Sequence, residues 1–596
     1  MIFTKENLTL EEGLNKEWLI TNGIGGYASS TIIGINTRKY HGLLIAPLTP
    51  PARRFLILSK LDEALEIEGK EYNFYSNICQ NYISKGFEYQ EKFEKVEIPI
   101  FSYKIEDILI EKSICMEYGK NTVGVLYKIK NGNKDATLKL TPVINYRDFH
   151  TMNTDHNFKL RQDINKNKIK MVIDENSWTP IYMKTSEGTY QNYENNIFSH
   201  MFYIEEEKRG FYPEENHIVP GTFQIKINKN EEKKISFICS LEDNIDEIDV
   251  EDLIQNEKNR LDKVFKESGQ ILEDRNLEKK EELKKQEIMK LFSIAIDNFI
   301  VYRPSFGLHT IIAGYPWFLD WGRDTLIAFE GLCLKTKKYE IAKEILLTMI
   351  RDIKYGLVPN GYSGFDNRPL YNSVDSSLLL FEQIQKYLEY TNDEKFIKEK
   401  LYNKLENIIN NYVQGIDLDN NNIYLDKDYL ISSGTKDTQN TWMDAKYAGI
   451  AVTPRNGKAV EINSLWYNAL KIMEELTKKF GKKLEAKKYK ELADKCKKSF
   501  VAKFYNKRRK CLFDVLGDNK IRPNQLFALS LSYPIINPAS EEAKEIIETV
   551  EKKLLNKYGL KTLAKGEEKY VEVYEGDGFR RDFSYHQGIT WPWLLR

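Results

Sequence analysis

The hydrophobic period of this chain changes once along its length, and that change limits the possible folds more than any other feature. Up to about residue 240, apolar side chains alternate with polar ones, as in TVGVLYKIK (122–130), ATLKL (136–140), GTFQIKI (221–227) and ISFICSL (235–241). A period of two marks strands with one buried face. The polar breaks NGNKD and NKNEEKK between these runs predict antiparallel hairpins, and the spacing predicts a β-sandwich over 1–244. After about residue 287 the period becomes helical. SLWYNALKIMEELTKKFG (464–481) sets Leu465, Ala469, Ile472, Met473, Leu476 and Phe480 on one stripe and stops at Gly481, and EKLYNKLENIINNYVQG (399–415) behaves likewise. The charged, proline-free stretch 245–287 reads as a solvated helical linker. Over 288–596, helices separated by long loops rich in Asp, Asn, Gly and Trp fit an α/α toroid whose loops build a cleft at one end.

Composition excludes several classes. At 596 residues the chain exceeds one ordinary domain of roughly 150 residues. Lys+Arg and Asp+Glu are both 88, a net charge of zero that argues against a nucleic-acid footprint or a membrane-surface role. A neutral polymer suits this surface better than a polyanion. No apolar run reaches the ~18 residues a membrane helix needs. The first residues, MIFTKENLTLEEGLNKEW, lack the apolar centre of a signal peptide. Six scattered cysteines without CxxC or Cys/His spacing read as reduced thiols, so a soluble cytoplasmic protein is expected. Neither GxGxxG, GxxxxGK[ST] nor GxSxG occurs, and His586 lacks ligand-spaced partners, so no cofactor and no metal are expected.

The chemistry concentrates in five loops of the helical half. YPWFLDWGRDT (315–325) holds Trp317, Asp320, Trp321, Arg323 and Asp324. Indole faces suit the C–H faces of a sugar ring, and an Arg fork beside Asp can grip vicinal hydroxyls, although a buried ion pair among core Trp is an equal alternative. SSGTKDTQNTWMDAKYAG (432–449) brings Lys436, Asp437, Trp442 and Asp444. A carboxyl near an indole is a place where desolvation raises a pKa enough for general-acid work; a helix cap is the plainer reading. PRNGKAVEINSLWYNAL (454–470) adds Glu461, for which closing its own loop is an equal alternative. LYNSVDSSL (370–378) adds Tyr371 and Asp375, the latter placed as an N-cap. GDGFRRDFSYHQGITWPW (576–593) adds His586, Gln587 and Trp591. Together the five read as a carbohydrate cleft with carboxylates available for glycosidic hydrolysis.

KEWLITNGIGGYASSTIIGINTRKYHGLLIAPLTPPARRFLILSKLDEAL (16–65) resembles the amino-terminal signature of prokaryotic glycogen-debranching enzymes of the amylo-α-1,6-glucosidase type. WFLDWGRDT, TWMDAK, PRNGKAVEINSLWYNAL and YHQGITWPW resemble that family's catalytic blocks, in the same order. The resemblance implies an N-terminal β-sandwich and a C-terminal (α/α)6 barrel. It implies Asp444 as general acid and Arg323 and Asp324 as the grip on the terminal glucose. Asp320, Trp321, Asp375, Lys436, Glu461 and His586 would line the subsites, and the reaction would invert the anomeric centre. The substrates implied are glycogen, limit dextrin or branched malto-oligosaccharides.

Two departures matter. Thr590 stands where the eukaryotic branch has Glu, and the stop at WPWLLR leads us to expect that the last helices, and the general base with them, are not in this chain. Glu572, Glu575, Asp577 and Asp582 are the in-chain base candidates. Arg38, Tyr40 and His41 read chiefly as a turn-rich sandwich edge, with a branched-chain contact as the alternative. A glucoamylase-like α-1,4-glucosidase, a related disaccharide phosphorylase and a catalytically silent glucan-binding protein are the competing functions. No βαβ repeat is present to house a transferase.

Overall fold

The computed structural model describes residues 1–595 except 157, 174–178, 195 and 269–278. The chain forms two compact units, Met1–Gly307 with Gly314–Leu319, and Leu308–Ala313 with Asp320–Arg596.

The first unit is built on two antiparallel sheets, of nine and twelve strands among the described residues. Its main strands are β1 (Ala52–Ile67), β2 (Ile108–Met116), β3 (Thr122–Lys130), β4 (Ala136–Asp148), β5 (Gly221–Ile227) and β6 (Glu232–Ser240). Phe93, Phe101, Ile110, Val125 and Phe237 of one sheet meet Leu44, Leu58, Leu65, Leu138 and Ile225 of the other in a continuous core. The alternation places these residues inward, as the pleat requires.

The two expected hairpins do not form. β3 pairs with β6, from Thr122↔Ser240 to Lys130↔Glu232, while β4 pairs with β5, from Ala136↔Ile227 to Leu140↔Phe223. The loops NGNKD and NKNEEKK therefore cross from one sheet to the other. Alternation identifies the buried face of a strand and says nothing about its neighbour. The buried Asn131 amide donates to the carbonyls of Lys134 at 2.8 Å and Asn228 at 2.7 Å, tying the two crossings together.

In the NGIGGY turn, Asn22 Oδ1 accepts from the Ile24 and Gly26 amides at 3.2 and 2.8 Å. Gly25 takes φ +95° there, with Pro51 packed where a Cβ would stand. Arg38 Nε donates to Glu17 at 2.7 Å, His41 Nδ1 accepts from the Thr37 amide at 3.1 Å, and Tyr40 is buried. These side chains are committed within the first unit.

The charged stretch expected as a solvated linker is partly core. Helix α1 (Val250–Ser268) buries Val250, Leu253 and Ile254 against Cys115, Leu126 and Ile238 of the sheet. Its few apolar residues recur at helical spacing, so a mostly polar helix still docks one stripe. Residues 269–278 of the predicted linker lie outside the described residues, and α2 (Lys279–Phe299) follows.

The second unit is helical: α3 (Gly322–Phe329), α4 (Tyr339–Arg351), α5 (Ser376–Thr391), α6 (Tyr402–Gln414), α7 (Val460–Lys479), α8 (Lys483–Phe504) and α9 (Glu541–Leu554). The expected order of an antiparallel sheet domain and then a helical domain is the one the chain adopts. Helix α7 packs between α5 and α8, and Leu465, Ala469, Ile472, Met473 and Leu476 are all at most 1% exposed. Gly481 at φ +79° ends it and lets α8 turn back as a helical hairpin. No helix among the described residues is long and apolar enough to cross a membrane.

Candidate active site

The second unit's loops converge on Arg323, in the first turn of α3. The chain reaches it through a close approach: Gly322 donates its amide to the Asn360 carbonyl at 2.8 Å, and a Cβ on Gly322 would meet the Pro359 carbonyl at 2.2 Å. Trp321 bridges Gly361 in a short antiparallel contact. With its backbone clamped there, Arg323 is turned inward with only 6% of its side chain exposed.

Its guanidinium joins two loops distant in sequence. Nε donates to Asp375 Oδ1 and Oδ2 at 2.9 and 2.8 Å, and Nη1 donates to Asp444 Oδ2 at 2.7 Å. Asp375 occupies the N-cap position of α5 without capping it. Ser373 caps in its place, accepting from the Ser376 amide at 3.1 Å while donating to Asp375 at 2.6 Å. The expected cap is thus a buried counter-ion for Arg323. Asp444 differs, since 30% of its side chain meets solvent.

Desolvation lifts the Asp444 carboxyl above its usual range even though Arg323 opposes the shift. Asp324, next along α3, is exposed, and the surrounding protein partly desolvates its carboxyl. That desolvation raises it to about 6, against Arg323 and with help from the Asp444 charge. Two solvent-reachable carboxyls with raised pKa, Asp324 and Asp444, therefore lie next to a single buried cation. This pairing can hold sugar hydroxyls and deliver a proton.

The Asp324 shift has a stability consequence with a definite sign. Its carboxyl titrates near 6 in the fold and near ~3.9 in an unfolded chain, so the folded state binds more protons between those values. Stability from this group is present below about pH 4 and is lost as pH rises through 6. Asp324→Asn should remove that loss, so the Tm difference between variant and parent should grow from pH 4 to 6 and stay flat above 7. Scanning calorimetry across that range checks it, and a difference independent of pH would refute it.

The other predicted residues separate into two groups. Trp591 is half-buried, stacked on His586 with centroids 5.6 Å apart, and Lys436 and Asp437 are exposed on their loop. Trp442, Glu461, His586 and Gln587 are buried supports. Trp442 stands edge-on to His586, Trp591 and Trp593 at 5.3, 5.7 and 5.1 Å. Burial and the nearby Arg522, Arg323 and Arg455 charges push His586 well below its usual range, so its imidazole is neutral. Gln587 accepts from Arg522 Nη2 at 2.8 Å. Glu461 accepts from Arg455 through both oxygens and is 1% exposed, so it is held away from solvent.

Tyr371 donates its hydroxyl to the Asp352 carbonyl at 2.7 Å, and Asp320 is buried and bridges Ile312. Trp317 lies in the first unit, edge-on to Tyr40 at 6.3 Å with the Arg38 guanidinium 5.5 Å from its ring. Among the base candidates, Asp577 caps the helix Gly578–Ser584 and Glu572 lies beside Lys561 and Lys565, while Glu575 is exposed. Desolvation raises the half-buried Asp582. Thr590 accepts from Asn556 at 2.6 Å. Sequence reading missed Arg455, Asp514, Arg522 and Asn524, which support the TWMD loop from below. Arg455 stands inside the PRNGKAV block without having been singled out, and Asp514, Arg522 and Asn524 are polar residues with no spacing to mark them.

A family model described as amylo-alpha-1,6-glucosidase matches residues 294–596, and one described as glycogen debranching enzyme N terminal matches residues 16–234. The chain is 26% identical over 385 residues to the glycogen debranching enzyme of Saccharomyces cerevisiae. That region is 49% of this chain and 25% of the yeast protein, so the chain spans about a quarter of that relative's length. A solved bacterial glucoamylase complexed with acarbose is similar over 93% of this chain and 78% of its own, with a TM-score of 0.47 and 11% identity.

Proposed function

The chain belongs to the amylo-alpha-1,6-glucosidase family, and from that premise we propose that it hydrolyses the α-1,6-glucosidic linkage at branch stubs of glycogen and limit dextrin, releasing glucose. The observation that carries this reading is the partly open Asp444 carboxyl held by the buried Arg323 guanidinium, which Asp375 fixes from its other side. Asp444 acts as general acid and protonates the glycosidic oxygen as the bond breaks. Desolvation raises its pKa, which favours the protonated form a general acid needs. Arg323 fixes the direction of that carboxyl, and Asp324 accepts hydrogen bonds from hydroxyls of the terminal glucose. In an inverting reaction a water must fit opposite the acid, with the two carboxyl groups about 6.5–9.5 Å apart.

Phosphorolysis would bring a phosphate dianion to the same place. Asp375 and Asp444 outnumber the one guanidinium they contact, so added negative charge is disfavoured there. The test is incubation of the purified protein with limit dextrin and, separately, with linear malto-oligosaccharides, each with and without phosphate. Glucose released from limit dextrin without phosphate is the expected result. Release from linear chains alone would replace the reading with an α-1,4-glucosidase, a sugar phosphate formed only with phosphate would replace it with a phosphorylase, and binding without turnover would leave a glucan-binding protein.

A further inference from the structure

Beneath the TWMD loop lies a second ionic assembly that the proposed chemistry does not use. Arg455 donates to Glu461 through both terminal nitrogens, and to Asp514 through Nε at 2.6 Å and Nη2 at 3.0 Å. Arg455, Glu461 and Asp514 each expose 3% or less of their side chains. Asn524 Nδ2 donates to Asp514 at 2.8 Å, and Arg522 Nε stands 3.6 Å from the same carboxylate. Arg455 has φ +41°, a left-handed backbone that an Arg adopts only when its surroundings impose it.

This assembly reaches the three residues directly ahead of Asp444, one after another. Arg455 Nη1 donates to Thr441 Oγ1 at 3.3 Å. Asn524 Oδ1 accepts from Trp442 Nε1 at 2.7 Å. Arg522 Nη1 and Asn524 Nδ2 point to Met443 Sδ at 3.6 and 3.8 Å. The 440–445 segment has neither helix nor ladder: its ends are pinned where the Asn440 carbonyl accepts from the Val374 amide at 2.9 Å and the Ala445 carbonyl from the Val452 amide at 3.0 Å, and between them the side-chain bonds hold 441–443.

We propose that the Arg455–Asp514–Asn524 assembly is a positioning device for Asp444, aiming its carboxyl by anchoring Thr441, Trp442 and Met443 from below. The inference rests on Asp444 being the acid. It reassigns Glu461 from a sugar contact to a partner of Arg455. Asn524 is the positioning residue best placed for a test, because it links Trp442 to Asp514 and carries no charge.

Asn524→Ala and Trp442→Phe each break the same indole bond. Each should lower kcat on limit dextrin by about 10–100-fold with KM changed less than about threefold, since a shift of about 1 Å in a reacting group carries a penalty of that order. The double variant should be no slower than the slower single one, because both remove one link. The alkaline limb of the kcat/KM profile should move to lower pH as a loosened Asp444 gains water. Hydrogen exchange, which is independent of turnover, should speed up at 441–444 in Asn524→Ala and stay unchanged in α7.

Parent-like kcat in the single variants, or losses that multiply in the double, would overturn the proposal. If the parent itself releases no glucose from limit dextrin, the reading of the reaction fails. Exchange then decides the anchoring alone: faster exchange at 441–444 upholds it, and unchanged exchange removes it.

Discussion

Asp444→Asn is expected to lower glucose release from limit dextrin by about 10²–10⁴-fold, the contribution typical of a positioned general acid. Oligosaccharide binding should stay within about threefold of the parent, because the amide keeps the shape of the carboxyl and its oxygen still accepts from Arg323 at the 2.7 Å position. A chemical control separates loss of the proton donor from loss of the site. A glucosyl donor whose leaving group needs no protonation, such as α-glucosyl fluoride, should be hydrolysed by the variant far more nearly at the parent's rate. Steady-state kinetics on both substrates decide the matter. Near-parent turnover of limit dextrin, or equal losses on both substrates, would remove Asp444 from the acid role.

Arg323→Met should have the second large effect, and it should appear in stability as well as in rate. The substitution leaves Asp375, 4% exposed, without its cation, and breaking a buried pair from one side costs about 3–5 kcal/mol. Asp444 loses the guanidinium that opposes its desolvation through both charge and a hydrogen bond, so its pKa should climb further. Thermal unfolding should therefore show a clear fall in Tm, and kcat/KM should fall by about 10³-fold or more. Adding Asp375→Asn should recover much of the stability, since the orphaned charge is gone, without restoring activity. A double variant no more stable than Arg323→Met would show that the loss comes from packing and not from the unpaired carboxylate.

The sequence carried the architecture through its period, and it could not carry the pairing. The runs at 122–130, 136–140, 221–227 and 235–241 were legible as strands because half-burial imposes alternation. Their partners were not, because the crossings between sheets depend on contacts such as Asn131 with Asn228, 97 residues apart. The charged helix Val250–Ser268 was misread for a related reason: a handful of apolar side chains at helical spacing is enough to dock it.

At the candidate site, Arg323 and Asp444 stood out because indoles and carboxylates crowd the same short loops. What they do depends on distance in space. Arg323 meets partners 52 and 121 positions away, and only in three dimensions does Asp375 change from a helix cap into a counter-ion. Glu461 shows the reverse, since a motif suggesting a sugar contact resolves into a buried partner for Arg455. Asp514 and Asn524 had no local signal at all. A single polar residue in a loop becomes informative only once its neighbour is known.

The burial of the Arg323–Asp375 pair also bears on how the protein meets its ionic surroundings. Its outer charges, 88 of each sign in the whole chain, lie largely where dissolved ions can screen them within about 8–10 Å. A guanidinium and carboxylate exposed by only 6% and 4% are beyond that reach. Changing ionic strength therefore alters how the exterior associates and leaves the Arg323–Asp375 pair almost untouched.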